Sequence, residues 1–334
     1  MKLSQIKTQI LSIILLFLFI YPTLTIEIHA ENQVSDTATG LRISPPIFEL
    51  SLEKGLSNQE IIKLENTGDK TQTYYPIVYS FVPKGEKGAE EFILPEKSDE
   101  TYSLAKWINI SKKGITLEPK GKIAVNFSVS VPENAEAGGY YAGILFSTQP
   151  NNLLETSNIQ IASQIGPIIL GQIAGETTEQ GSIIEFSVDK GLYNYPPVNF
   201  VTRFRNTGEI HLKPTGKIEI YDIFGRKLDE LIVNENLGNV LPQSIRKFDN
   251  EWFLNEFIIG KFTANVILEY GKSNNYVTES ISFWILPWKE ILIGLLLTIV
   301  SLTLLIILIK KYNAHIAKKA IEKHIKEENN KNSK

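Results

Sequence analysis

Cysteine is absent from all 334 residues, and there are one methionine and four histidines. No disulfide therefore staples any part of the chain, and no thiolate is on hand as nucleophile or metal ligand. Between residues 31 and 286 the only histidine is His211, beside a turn, so imidazole and thiolate cannot assemble a metal set there. No Gly-rich phosphate loop, nucleophile elbow or HExxH motif occurs. Gly85 and Gly88 sit in a charged loop without a strand-to-helix context. The acid pairs Glu90-Glu91 and Asp99-Glu100 lie among lysines, where solvated carboxylates are expected rather than a glycosidase acid and nucleophile. The chain is predicted to be no enzyme and to need no cofactor and no metal.

Helical periodicity is also nearly absent, with one exception. Ile291 to Ile309 runs nineteen residues without a charge, with Thr298, Ser301 and Thr303 its only polar side chains. As a helix this covers roughly 28 Å, close to the hydrocarbon thickness of a bilayer. Trp284, Trp288 and Tyr312 flank it where amphipathic rings favour the headgroup layers. The tail 310–334 then holds eight Lys and three Glu, an excess that predicts a cytoplasmic C-terminus. A buried core helix is the alternative, and the length and flanks oppose it. Lys318, Lys319, Lys323 and Lys326 are expected beside the anionic inner leaflet.

At the other end, Lys2 and Lys7 precede an apolar run from Ile10 to Tyr21, and a small residue closes the segment at Ile28-His29-Ala30. This pattern predicts a secretory signal peptide, residues 1–30, cleaved after Ala30; a retained second membrane helix would need a longer run. The expected protein sits in the cell membrane as a single-pass chain, with its ectodomain outside and the lipid bilayer as partner to Ile291–Ile309. An exported chain without cysteine suits a bacterium, particularly one with a single membrane. The whole chain carries −3; with the tail (+5) and the first thirty residues (+1) set aside, the exported part carries −9. That acidity is a poor match for nucleic acid or anionic wall polymers, so no nucleic-acid partner is expected.

The ectodomain reads as strand after strand. Residues 31–40 form a polar linker, and Ile43 to Leu50, interrupted by Pro45-Pro46, reads as an edge strand. Tyr74 to Val82 puts Tyr75, Ile77, Tyr79 and Phe81 on one face, and residues 83–103 read as a solvated loop. In Lys122 to Val131, Ile123, Val125, Phe127, Val129 and Val131 alternate with polar or small residues, as on a half-buried strand. The turn-rich stretch 174–182 predicts a boundary between domains 41–175 and 176–286. Asn206-Thr207-Gly208 ends a strand of the second domain as Asn66-Thr67-Gly68 does in the first, a repeat that favours tandem units. The predicted fold is all-β: two tandem immunoglobulin-like antiparallel β-sandwich domains, followed by one transmembrane α-helix at 288–309.

This order of parts resembles the WxL-interacting cell-surface proteins of Gram-positive bacteria. The local resemblance is densest at Ile115 to Gly121 (ITLEPKG) and from Val131-Pro132-Glu133-Asn134 through Gly138-Gly139-Tyr140. The family's opening around Pro-Glu-Asn-Gln and Tyr-Phe-Asp-Leu is absent, with Ile43 to Leu50 in its place. The resemblance implies peptidoglycan binding by the first domain and partner binding by the second. For ligand or partner contact the candidates are Trp107, Tyr140 and Tyr141, which suit stacking on sugar rings or a protein hot spot, against the alternative that strand aromatics fill the core. In the adjacent pair one ring should face inward and Tyr141 outward. The expected function is adhesion or scaffolding on cell-wall glycan or a secreted surface protein. The alternatives are a chaperone-like or pilus-associated module acting by β-strand addition, which an unblocked edge at Pro45-Pro46 would favour, and a wall-modifying enzyme.

Overall fold

The computed structural model describes residues 40–97, 101–150, 164–254, 256 and 258–332. The expected signal peptide and nearly all of the linker lie outside them, as do Asp99 and Glu100. Alternating apolar residues build two sandwiches, each around its own buried cluster.

The first sandwich uses β1 (Leu41–Ser44), β2 (Ile47–Leu52), β3 (Ser57–Asn66), β4 (Gln72–Lys84), β5 (Ala89–Ile93), β6 (Ile108–Ile110), β7 (Ile115–Leu117), β8 (Lys122–Ser130), β9 (Gly138–Ser147) and β10 (Ile168–Ile173). One sheet runs β1-β3-β8-β6, the other β2-β10-β9-β4-β5 with β7 also on β4. The expected edge strand from Ile43 to Leu50 is therefore two strands. Pro45 and Pro46 lack the N–H needed for a ladder, and the chain uses them to cross from one sheet to the other. The crossing lays β2 parallel to β10, an exception to the antiparallel pattern.

The second sandwich uses β11 (Gly181–Val188), β12 (Leu192–Tyr193), β13 (Val198–Asn206), β14 (Thr215–Tyr221), β15 (Lys227–Val233), β16 (Ile245–Trp252), β17 (Gly260–Tyr270) and β18 (Asn275–Ile285). Its sheets run β11-β13-β16 and β12-β18-β17-β14-β15. Apart from β6 and β7, which have no counterpart, this repeats the first sandwich: the opening strand again splits between sheets, and β12 again lies parallel to the last strand. β15 (KLDELIV) and the short β7 and β12 escape sequence reading, because none is long enough or regular enough in alternation to stand out.

The repeated Asn-Thr-Gly is a buried structural device. Asn66 Nδ2 donates to the carbonyls of Lys70, Leu117 and Glu118, while Asn66 Oδ1 accepts from Gly68 N at 3.0 Å. Asn206 Nδ2 donates to Ile210 O and Val240 O, both 2.8 Å, and its Oδ1 accepts from Gly208 N. Thr67 N and Thr207 N each donate to the residue just before the sandwich's first strand, Gly40 O and Gln180 O. Each Asn thus closes its own turn and ties that turn to a distant loop.

β18 leads through Leu286-Pro287 into one long helix, α1 (Trp288–Asn332). It is long and apolar enough to cross a membrane, and none of its apolar window is buried against the sandwiches. A core helix is thereby excluded, and the basic tail continues the same helix instead of forming a separate segment.

Asn206→Ala should destabilise the protein by about 2 kcal/mol in urea unfolding, since it leaves Ile210 O and the Gly208 amide without partners and removes one of the two donors to Val240 O, which keeps Leu212 N. Asn206→Asp should lose nearly as much, because a carboxylate cannot donate to Ile210 O or Val240 O. Unchanged midpoints would mean the side chain is replaceable by water.

Candidate functional site

β9 is buried at all ten positions, so both faces of its sheet are covered. The inner face packs the sandwich core. On the outer face, Ile77, Tyr79 and Leu145 pack with Phe92 and Leu94, and Phe81, Tyr141 and Leu170 pack with Tyr102 and with Leu241 of the second sandwich. The stretch expected as a solvated loop at 83–103 thus contributes β5 and Leu94 as a cover: Phe92 stands 6.1 Å from Tyr79 and 6.0 Å from Phe81 between ring centroids.

This corrects the expected contact residues. Tyr140 and Tyr141 do point to opposite faces, but neither faces water. Tyr140 enters the first core, its hydroxyl donating to Glu136 O and its ring 4.5 Å from that of Trp107, which is half-buried against the same core. Tyr141 is 2% exposed; its outer face is taken by the second sandwich, where its hydroxyl lies 3.4 Å from His211 Nδ1. Burial holds the Tyr141 hydroxyl far above its ordinary pKa and lowers that of His211 to about 4.

Around this pair the two sandwiches meet through polar contacts. Gly139 N donates to Glu209 O at 2.9 Å and Lys247 N to Glu86 O at 2.7 Å. A Cβ on Gly139 would sit 2.2 Å from the Tyr141 hydroxyl and 3.3 Å from Ile210 Cα, so only glycine permits this approach. Arg203 Nε donates to Glu86 Oε2 at 2.7 Å, and Arg203 also pairs with Glu185 at 3.0 Å. The Arg203 hydrogen bond holds Glu86 below its ordinary carboxylate value; Ser187 and then Arg203 do the same for Glu185. Lys213 pairs with Glu49 on β2.

Two openings adjoin beside the β2 edge. The outer is a groove of about 590 Å³ lined by Ile47, Tyr79, Phe92, Leu145, Ile165 and Ile168, with Glu90 and Gln164 as polar groups. The inner, about 250 Å³, lies between the sandwiches and shares Ile47, Glu90 and Ile168 with it. Arg246 lines the inner cavity. Its guanidinium donates to Asn239 O at 2.8 Å and lies in the space that side chains on Gly88 or Gly238 would fill. Asn239 Oδ1 is buried there with no hydrogen-bond partner among the described residues.

The groove's rim is a free strand edge. Pro46 O and Leu52 O both accept from β10 and its continuation, at Ile168 N and Ala174 N. Backbone groups alternate direction along a strand, so those of Ile47, Glu49 and Ser51 point away from β10. Among the described residues β2 pairs with no other strand, and of these outward groups only Ser51 O is met, by Asn58 Nδ2 at 3.4 Å. The expectation of an edge at Pro45-Pro46 found this region; the groove beside it was not legible, because it depends on β5 and on the segment at Gln164–Ile168 meeting β4 and β9.

No family model and no curated protein matches the chain. Among solved structures it is similar to the class 5 fimbriae chaperone CfaA, with 10% identity and a TM-score of 0.35 over 74% of this chain and all of that one. It is also similar to the CupB2 chaperone of Pseudomonas aeruginosa, with 9% identity and a TM-score of 0.33 over 73% and 100%. A third is the CsuC-CsuE chaperone-tip adhesion subunit complex of Acinetobacter baumannii, with 14% identity and a TM-score of 0.32 over 62% and 89%. At such identities and TM-scores the likeness assigns this chain no role.

His211 should make stability pH-dependent. Its folded pKa of about 4 lies below the ordinary 6.5, so the unfolded chain binds a proton that the folded chain refuses. Stability is full above about pH 6.5 and declines as pH falls toward 4, by up to about 3 kcal/mol. His211→Gln should flatten that slope in thermal melts between pH 7 and 4.5; an unchanged slope would assign it to the carboxylates.

Proposed function

We propose that this is a membrane-anchored, non-catalytic cell-surface protein that captures a partner protein along the groove of its first sandwich, the partner adding an extended strand to the β2 edge. The observation that carries this is the outward backbone of Ile47 and Glu49, unpaired among the described residues, beside a groove lined mainly by apolar side chains, the combination that strand addition uses: main-chain bonds for affinity, adjoining hollows for side-chain choice. The nonpolar lining and the single Arg246–Glu90 charge couple suit a mostly apolar strand.

Absence of catalysis is supported by what the acids do. Glu86 and Glu185 are held by Arg203, and Glu49 by Lys213. The same edge serves a stable scaffold and a chaperone-like assembly module equally; the lifetime of the complex separates them. Membership among the WxL-interacting proteins, with the ectodomain outside and the tail cytoplasmic, is part of the proposal and is supported by the order of parts and the lysine-rich tail. Glycan binding draws less support, because the three aromatics offered for stacking are occupied in packing.

The test uses the detergent-solubilised full chain against purified sacculi and against the secreted and surface proteins of the source cell. Specific capture of a protein should be lost in Ile47→Lys and kept in Ile123→Lys, a matched control on the opposite sheet (43% and 42% exposed). Hydrogen exchange should show protection of the outward β2 amides, Ile47, Glu49 and Ser51, only when the partner is bound. Retention by sacculi alone, indifferent to Ile47→Lys, would replace the strand-addition reading with the glycan one.

A further inference from the structure

The end of the second sandwich from which α1 departs is apolar in a way its core does not require. β18 stops at Ile285 and α1 begins at Trp288. The three steps from Ile285 to Trp288 span at most about 11 Å, so the start of α1 lies within that reach of the sandwich. The Tyr195 side chain also hydrogen-bonds to Glu290, tying the loop before β13 to the first turn of the helix.

Strand register identifies what else reaches this level. Gly260 pairs with Ile285, while Tyr221 pairs with Thr263 and Thr263 with Ser282. The β14–β15 hairpin, Asp222 to Arg226, therefore projects past Ser282 to the level of Ile285, two strands or about 10 Å to the side. Its turn is closed by its own polar groups. Asp222 Oδ1 accepts from Phe224 N and Arg226 N, both 2.9 Å, Oδ2 takes Arg226 Nε at 2.7 Å, and Gly225 supplies a φ of +77°.

That construction holds Ile223 and Phe224 out with nothing to pack on. They are 66% and 80% exposed, Phe224 more than any other large apolar side chain among the described residues. Phe253, Ile259, Trp284 and Trp288 are exposed at the same end. Arg226 lies over the Phe224 ring at 5.6 Å and Lys289 over Trp288 at 5.8 Å, which sets cations beside the rings as at a headgroup layer.

We propose that the base of the second sandwich is a bilayer-contacting surface, with the Ile223-Phe224 hairpin dipping into the leaflet from which α1 emerges. Continuity with α1 selects lipid as the occupant. A rigid turn at a fixed lateral offset from the helix gives a second point of attachment, which holds the ectodomain at a defined tilt instead of letting it swing about Pro287. This rests on α1 being a membrane span.

The absence of native cysteine makes the test direct. Single variants Phe224→Cys, Thr298→Cys and Tyr276→Cys of the full chain carry a nitroxide in lipid nanodiscs, and collision with oxygen is compared with collision with a water-soluble nickel chelate. Thr298 reports the middle of the apolar run Ile291–Ile309, and Tyr276, 61% exposed at the far end of β18, reports water. Phe224→Cys is expected to show an oxygen-to-nickel ratio several-fold above that of Tyr276→Cys. If it matches Tyr276→Cys while Thr298→Cys is lipid-shielded, the hairpin proposal fails and the span stands. If Thr298→Cys is itself open to nickel, the span fails and the proposal falls with it.

Discussion

The larger sheet of the first sandwich is apolar on both faces, and much of the molecule follows from the need to cover the outer one. An antiparallel sheet in a free-standing sandwich leaves one face to water. Here Tyr79, Phe81, Tyr141, Leu145 and Leu170 occupy the face that would be wet. β5 folds back over one part of it and the second sandwich closes another. The remaining uncovered strip, between β5 and the β2 edge, is the groove. The groove runs between Glu90 and Phe92 of the β5 hairpin and Ile47 and Ile168 at the β2 edge, and the second sandwich bounds the smaller cavity next to it.

The contacts that hold the sandwiches together are mostly local polar ones around an apolar centre. Glycines 139, 88 and 238 let backbone or Arg246 come close, and Glu86 offers both its carbonyl and its carboxylate to the second sandwich. His211 is kept neutral by burial against Tyr141. Glu86 and Gly88 belong to a loop whose sequence is polar and lysine-rich, a composition that ordinarily marks solvent.

The tandem repeat was legible because its signal is chemical. Asn66 and Asn206 each need a glycine two residues on and a neighbouring loop to accept their amide protons, so the same three letters recur at the same topological point. Strand alternation at β8, β13 and β17 was legible for the related reason that each has one buried face. β15 and β12 were not, being short edge strands with weak patterning. The outward orientation expected for Tyr141 failed because alternation tells which face a side chain takes, and nothing about what lies over that face.

What the sequence alone determined is whatever a local period or run can encode: the all-β sandwich character, the tandem Asn-Thr-Gly turns, the interrupted edge at Pro45-Pro46, and an apolar helix of spanning length with aromatic and lysine flanks. The tertiary structure decided which faces were exposed. Burial of Tyr141, the cover supplied by β5, the free backbone of β2 beside a groove and the apolar base around Phe224 all arise from segments far apart in the chain. Such contacts depend on how two sheets and two sandwiches are placed in space, and a one-dimensional pattern of polarity carries no term for that placement.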